Sequence, residues 1–283
     1  ATMVSLFEHA PAVGAFEVED PRPYGVFEID GDRVTGVIEK PDDPPSSLIN
    51  ASAYVFEARA QEWLDVDESE RGEYELTDVL ARQLDAADVR AVAFERWLDV
   101  GRPWELLAAN EWKLGDLERR LDGDVHDDAE VVGDVVVESG ASIRKGAVVE
   151  GPVLIQAGAS VGPNAYVRGT TALGPDTKVG HGVEVKNSVI MDGTHVPHLS
   201  YVGDSVFGRD VNLGAGTIVA NLRHDDQPVK MTVKGDRVST GRRKFGVVLG
   251  DAVKTGIDTT LNAGVCLSAG ATTQPGEAVT RDR

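Results

Sequence analysis

VVGDVVVESGASIRKGAVVEGPVLIQAGASVGPNAYVRGTTALGPDTKVGHGVEVKNSVIM, residues 131–191, carries an aliphatic side chain at every sixth position: Val131, Val137, Ile143, Val149, Ile155, Val161, Val167, Leu173, Val179, Val185 and Met191. Glycine and other small residues gather just after or midway between them. A helix repeats its buried face every 3.6 residues and a strand every 2, so neither yields this spacing. A six-residue unit made of one short strand and a corner does. Three such units close a coil, and each aliphatic side chain stacks on its counterpart one coil away. The expected architecture is a parallel β-helix with those residues inward.

Across His198–Asn221, HLSYVGDSVFGRDVNLGAGTIVAN, the repeat loses phase, and there His198, Tyr201, Asn212 and Asn221 collect. The local rules of a fold fail most often at functional positions, so this stretch is the candidate site. The phase returns at Phe207, Leu213 and Val219, and again at Leu249, Thr255, Leu261, Leu267, Thr273 and Val279. Residues 222–244 between them are charged and lack the repeat; they are expected to project as a lid or an arm reaching a partner. The solenoid is assigned residues 123–283.

The 283 residues, 41% of them apolar, suffice for two domains with a sizeable core. A net charge of −19 excludes nucleic acid as a natural partner, because phosphate contacts need a basic surface. A phosphate-bearing small substrate would then need local cations against the overall field. No apolar run reaches the roughly 20 residues that span a bilayer, and ATMVSLFEHA has no charged leader or cleavage pattern, so a soluble cytoplasmic protein is expected. The single cysteine, Cys266, forms no internal disulfide and is expected as a packing residue.

In residues 1–122 short apolar runs alternate with helical patterns, an α/β organisation. VTGVIE (34–39) and SAYVFE (52–57) read as strands, 75–87 as a helix with acidic residues in its first turn, and 105–121 as a second helix leading out. Four motifs stand in order: Tyr24-Gly25-Val26 with a hairpin turn at Asp30-Gly31-Asp32, Glu39-Lys40-Pro41, Glu73 to Asp78 (EYELTD), and Trp97-Leu98-Asp99-Val100-Gly101.

Together these motifs resemble the second half of sugar-1-phosphate nucleotidylyltransferases, with a Rossmann-like α/β domain. The resemblance implies that Tyr24 and Gly25 line a sugar pocket, Glu39 holds sugar hydroxyls, Lys40 the sugar phosphate, and Asp99 is one of two aspartates on Mg²⁺, a cation that takes hard oxygen ligands. The family's Gly-rich triphosphate loop has no counterpart in this sequence, nor has its second metal aspartate. The expectation is a chain that begins in mid-domain and does not transfer a nucleotidyl group by itself.

The repeat resembles the hexapeptide acyltransferases, which implies a left-handed β-helix and a homotrimer with active sites between subunits. Arg168 in YVRG, Glu184 and Lys186 in VEVKN, the HLSYVGD box, Asn212 in VNLGAGT and Asn221 resemble the acetyltransferase half of the bifunctional glucosamine-1-phosphate acetyltransferase/N-acetylglucosamine-1-phosphate uridylyltransferases, archaeal type. Arg168 and Lys186 are one coil apart and should stack as a phosphate clamp. The resemblance implies His198 as the general base for attack of an amine on acetyl-CoA, with Glu184 orienting it. It makes Tyr201 a phosphate contact, Asn212 and Asn221 sugar or amine ligands, and the Ala215 amide a contact to the acetyl carbonyl. Lys230 would reach a neighbouring site. Leu222 and Ile257 depart from the bacterial pattern, where an aromatic residue and a serine stand.

Two other readings share the scaffold. One is a glucose-1-phosphate thymidylyl- or uridylyltransferase whose solenoid only assembles subunits, which leaves His198 without a task. The other is a zinc hydratase using His181, His195 and His198, whose spacing does not match a three-histidine site.

Overall fold

A computed structural model of the chain describes residues 3–69, 72 and 74–283; Glu73 of the EYELTD motif lies outside the described residues. Two compact units are present, Ala1–Leu98 and Asp99–Arg283. The division precedes residue 122 because the helix Pro103–Leu114 packs on the solenoid: Trp104 and Leu107 are buried with Val206, Val229, Met231 and Phe245. Among the described residues no helix is long and apolar enough to cross a membrane.

In the first unit, strands Ala12–Glu17, Gly25–Asp30, Arg33–Glu39, Leu48–Val55 and Val89–Ala93 close into a small barrel. The first and last pair in parallel, the others antiparallel. Gly31 turns the hairpin with φ +65°, a conformation that glycine adopts without steric cost. Helix Leu76–Ala86 buries Val79, Leu80 and Gln83, and Leu80 joins Val13, Phe27 and Val34 in the core. The strand expected at 52–57 instead runs Leu48–Val55, placing Asn50 inside the barrel wall.

The helix expected to reach residue 121 ends at Leu114, and Arg120–Leu121 already pair in parallel with Val136–Val137. The solenoid therefore starts before Val131. Its strands stack into three parallel faces. The first contains Ser160–Val161, Lys178–His181 and His195–His198; the second Tyr166–Arg168, Glu184–Lys186 and Tyr201–Gly203; the third Thr171–Leu173, Val189–Ile190 and Val206–Phe207. From Val137 to Val185 every sixth residue is buried, as the repeat demands. Each such side chain contributes roughly 1.5–3 kcal/mol by leaving water.

Met191 is the exception. Leu173 stacks on Ile190, seventeen residues on rather than eighteen, so Ile190 points inward and Met191 lies half-buried outside, beside Val206 and Phe245. One residue is dropped at Asn187–Ser188, between the second and third faces, ahead of the break expected at His198. The same edge is short again between Val202 and Phe207, and it takes the whole excursion between Val219 and Val248. All these irregularities share one edge of the coil.

The excursion is not the projecting polar arm its composition suggests. Lys230–Val233 and Asp236–Ser239 form a hairpin whose alternating side chains separate by polarity: Met231 is buried, as is Val229 just before it, while Lys230 and Asp236 face outward.

Candidate functional site

From Gly146 onward a left-handed residue closes each coil between the first and second faces: Gly146, Asn164, Gly182, Leu199, Gly216, Asp258 and Gly276 all have positive φ. Leu199 stands out at +48°, since that conformation costs a branched L-residue about 1–2 kcal/mol. His198, immediately before it, ends its strand in register with His181 and is exposed. Its carbonyl accepts the Ser200 hydroxyl at 2.7 Å and the Gly216 amide at 3.2 Å. The carbonyls of Ala215 and Ile257 accept the amides of Asp258 and Gly276, each at 2.8 Å, so His181, His198, Ala215 and Ile257 form a column along this edge. The Ala215 amide has no acceptor among the described residues.

On the second face Arg168 and Lys186 lie opposite each other on adjoining strands, the stacking expected from their spacing. Each has a carboxylate partner. Arg168 donates to Glu184 Oε1 at 2.7 and 3.0 Å, so Glu184 is engaged there rather than by His198. Lys186 Nζ reaches both oxygens of Asp204 at 3.0 and 3.1 Å. The Tyr201 hydroxyl and the Asn221 amide nitrogen meet over Gly203, where an added Cβ would sit 2.6 Å from both. Only glycine leaves room for them. Burial pushes the Tyr201 phenol above its ordinary pKa; the negative charges of Glu184 and Asp204 add to this, and the hydrogen bond from Asn221 opposes it.

Asp204 is the hub that sequence reasoning passed over. It is buried, sits at φ +53°, and receives Lys186, Asn221 Nδ2 at 2.6 Å and Asn187 Nδ2 at 2.9 Å. Asn187 also donates to Glu111 at 2.8 Å, and Glu111 is forked by Arg242. The Glu111 carboxyl is pushed up by burial, but the hydrogen bonds of Arg242 and Asn187 together hold it below its ordinary range. Asp204 closes the HLSYVGD box in the sequence, and its signal was the aspartate at a corner where left-handed geometry recurs. Glu111 and Arg242 are 131 residues apart and carry no comparable signal.

Two expected residues lie elsewhere. Asn212 is exposed in the first-face column between His195 and Lys254. Lys230 lines a cavity of about 430 Å³ with Arg223, His224, Arg237 and Asn262. His181, His195 and His198 do not converge, and among the described residues no group of three His, Cys, Asp or Glu side chains is placed to hold a metal.

In the first unit Gly25 and Glu39 pair in register, and the Glu39 carboxylate lies where a Cβ on Gly25 would meet it at 2.9 Å. Lys40 pairs with Glu39 at 3.6 Å, and its amide donates to the Tyr24 carbonyl. The Tyr24 ring stands edge-on to Trp97 at 5.4 Å. Asn50, missed in the sequence, completes this corner by donating to Tyr54 Oη at 2.6 Å. Asp99 falls in the second unit. It offers a hard oxygen donor and the Glu105 carboxylate also lies beside Gly101, but among the described residues no third carboxylate or histidine joins them, so they do not fit a Mg²⁺ site.

Comparison with known proteins follows this geometry. A family model described as Nucleotidyl transferase matches residues 2–114, and one described as GMPPB C-terminal domain matches 149–274. The bifunctional sugar-1-phosphate nucleotidylyltransferase/acetyltransferase of Sulfurisphaera tokodaii is 45% identical over 99% of this chain and 70% of its own length. The bifunctional protein GlmU of Methanocaldococcus jannaschii is 41% identical over 90% of this chain and 63% of its own. That of Methanococcus maripaludis strain C7 is 48% identical over 80% of this chain and 55% of its own. The chain belongs to the family of bifunctional sugar-1-phosphate nucleotidylyltransferase/acetyltransferases.

Proposed function

We propose that the solenoid transfers the acetyl group of acetyl-CoA to the amine of glucosamine-1-phosphate or galactosamine-1-phosphate, as a cytoplasmic homotrimer. The observation that supports this most is the gathering of Arg168, Lys186, Tyr201 and Asn221 on one face, one corner away from His198. The Sulfurisphaera tokodaii relative is named for an acetyltransferase activity beside its nucleotidylyltransferase one, which supports the same reading.

In this reading Arg168 and Lys186 hold the sugar phosphate and Tyr201 adds a hydroxyl contact. Asn221 and Asn212 bind the sugar or its amine. As the amine nitrogen bonds to the thioester carbonyl carbon, the His198 imidazole takes the amine proton. The Ala215 N–H donates to the oxygen on which charge develops. The C–S bond then breaks, the electron pair leaves with sulfur, and the thiolate of CoA is protonated. An imidazole suits the task because its ordinary pKa lies near working pH.

The first unit would hold a sugar phosphate through Tyr24, Gly25, Glu39 and Lys40.

The test is thiol release from acetyl-CoA with each amino-sugar phosphate, in high salt, for the wild type and His198→Ala. Turnover that drops about 10²-fold or more in the variant supports the proposal. A well-folded wild type that acetylates neither sugar overturns it and leaves the solenoid as an assembly scaffold.

A further inference from the structure

The carboxylate of Asp204 accepts only, so whatever points at it must be a donor. Asn221 offers a carbonyl oxygen and an NH₂ group, and the NH₂ group is committed: Nδ2 donates to Asp204 at 2.6 Å and to Tyr201 Oη at 3.2 Å. Turning the amide over would set its oxygen against the carboxylate. The Asn221 side-chain oxygen Oδ1 is therefore locked away from Asp204, and it accepts nothing among the described residues. Lys186 is fixed by the same group. Of the three N–H donors of its ammonium, two are aimed at the Asp204 oxygens, which leaves one unspent.

From these constraints we infer that Asp204 is the positioning residue of the acetyl-transfer site: it presents the Asn221 side-chain oxygen as an acceptor for the N–H or O–H of the acceptor sugar, and one Lys186 N–H as a donor for its phosphate. The inference rests on the acetyltransferase reading above. Asp204 touches neither sugar nor acetyl-CoA in this scheme, and it acts through the two side chains that it orients.

Asn187 braces the hub from the other side. Its amide nitrogen bridges Asp204 and Glu111, and Arg242 forks the same Glu111, so the carboxylate is tied to the helix Pro103–Leu114 and to the segment that follows the hairpin. Asp204 lies on the edge where the coil is one residue short, and that shortening brings Asn187, Asp204 and Asn221 into consecutive seventeen-residue steps.

Steady-state kinetics of acetyl transfer in Asp204→Asn test the assignment. A neutral amide in that place presents both a donor and an acceptor, so Asn221 is free to turn and Lys186 loses its ionic anchor. The KM for the amino-sugar phosphate should rise about tenfold or more, the loss expected for hydrogen bonds to a charged group, while the KM for acetyl-CoA stays within about twofold. A merely structural role would lower the folded fraction and leave both KM values alone. If the folded variant keeps the wild-type KM for the amino sugar, the assignment is overturned while the acetyltransferase reading stands. If the wild type acetylates neither sugar, both fall together.

Should Asp204→Asn fail to fold, Asn187→Ala decides. It removes one donor from Asp204 without altering a proposed substrate contact, and the amino-sugar KM should rise about threefold or more; an unchanged KM overturns the assignment.

Discussion

The coils between Val137 and Val185 and those that follow are built from the same six-residue unit, yet they differ at one edge. In the earlier coils eighteen residues return the chain to its starting face, every sixth residue is a buried aliphatic, and outward side chains pair along the face, as Tyr166 does with Glu150 at 2.7 Å. After Lys186 the step is seventeen, and the corner that lost a residue brings Asn187, Asp204 and Asn221 within reach of one another. Regularity keeps charged side chains in solvent. Shortening this edge by one residue per coil turns its corners inward enough to bury a carboxylate with its donors, which is what a binding site needs.

If this contrast is right, perturbing the regular coils should cost stability and spare activity. Ile155→Ala should lower unfolding free energy by about 2–5 kcal/mol in denaturant titration while both KM values stay at wild type. Changing the irregular edge should do the reverse. Inserting one alanine between Asn187 and Ser188 restores the eighteen-residue step and should lower acetyl transfer about a hundredfold or more, with the stack still folded by circular dichroism.

A smaller effect is expected at Glu111. Its carboxyl lies below the ordinary value when folded, so it adds stability above the unfolded value near pH 4.3 and loses it as pH falls through the folded value. Glu111→Gln should therefore be less stable than wild type at pH 7 by about 1–3 kcal/mol, with the gap closing below about pH 4 in thermal melts. The smallest change is at Leu199. Leu199→Gly should raise stability by up to about 1 kcal/mol by relieving the left-handed strain; if acetyl transfer is also unchanged, the strained corner does nothing for His198.

The inward positions were legible because burial alone dictates them: Val149, Val167 and Val185 are aliphatic at the one place per unit that water never reaches. The slip at Asn187–Ser188 was not, because Ile190 and Met191 are both apolar and a period test accepts either. The hairpin was misread for a related reason. Its two-residue alternation gives it an average polarity that hides the buried face carrying Met231. Within the site, the Arg168 and Lys186 pair could be read from spacing, since register fixes which outward residues are neighbours. Asp204 could not be assigned its task that way, because its donors, Lys186 and Asn187 on one side and Asn221 on the other, lie seventeen or eighteen residues away and converge only in three dimensions.

The edge between the second and third faces carries a further lesson about how such a protein can change. Each coil rests only on its neighbours, so the edge can lose a residue at Asn187 or admit everything from Ala220 to Val247 while Val219 still stacks on Leu261 and Phe207 on Leu249. Length is thus uncoupled from folding at one address per turn. Descendants of such a chain can exchange what grows there, and with it the molecules they accept, without renegotiating the core.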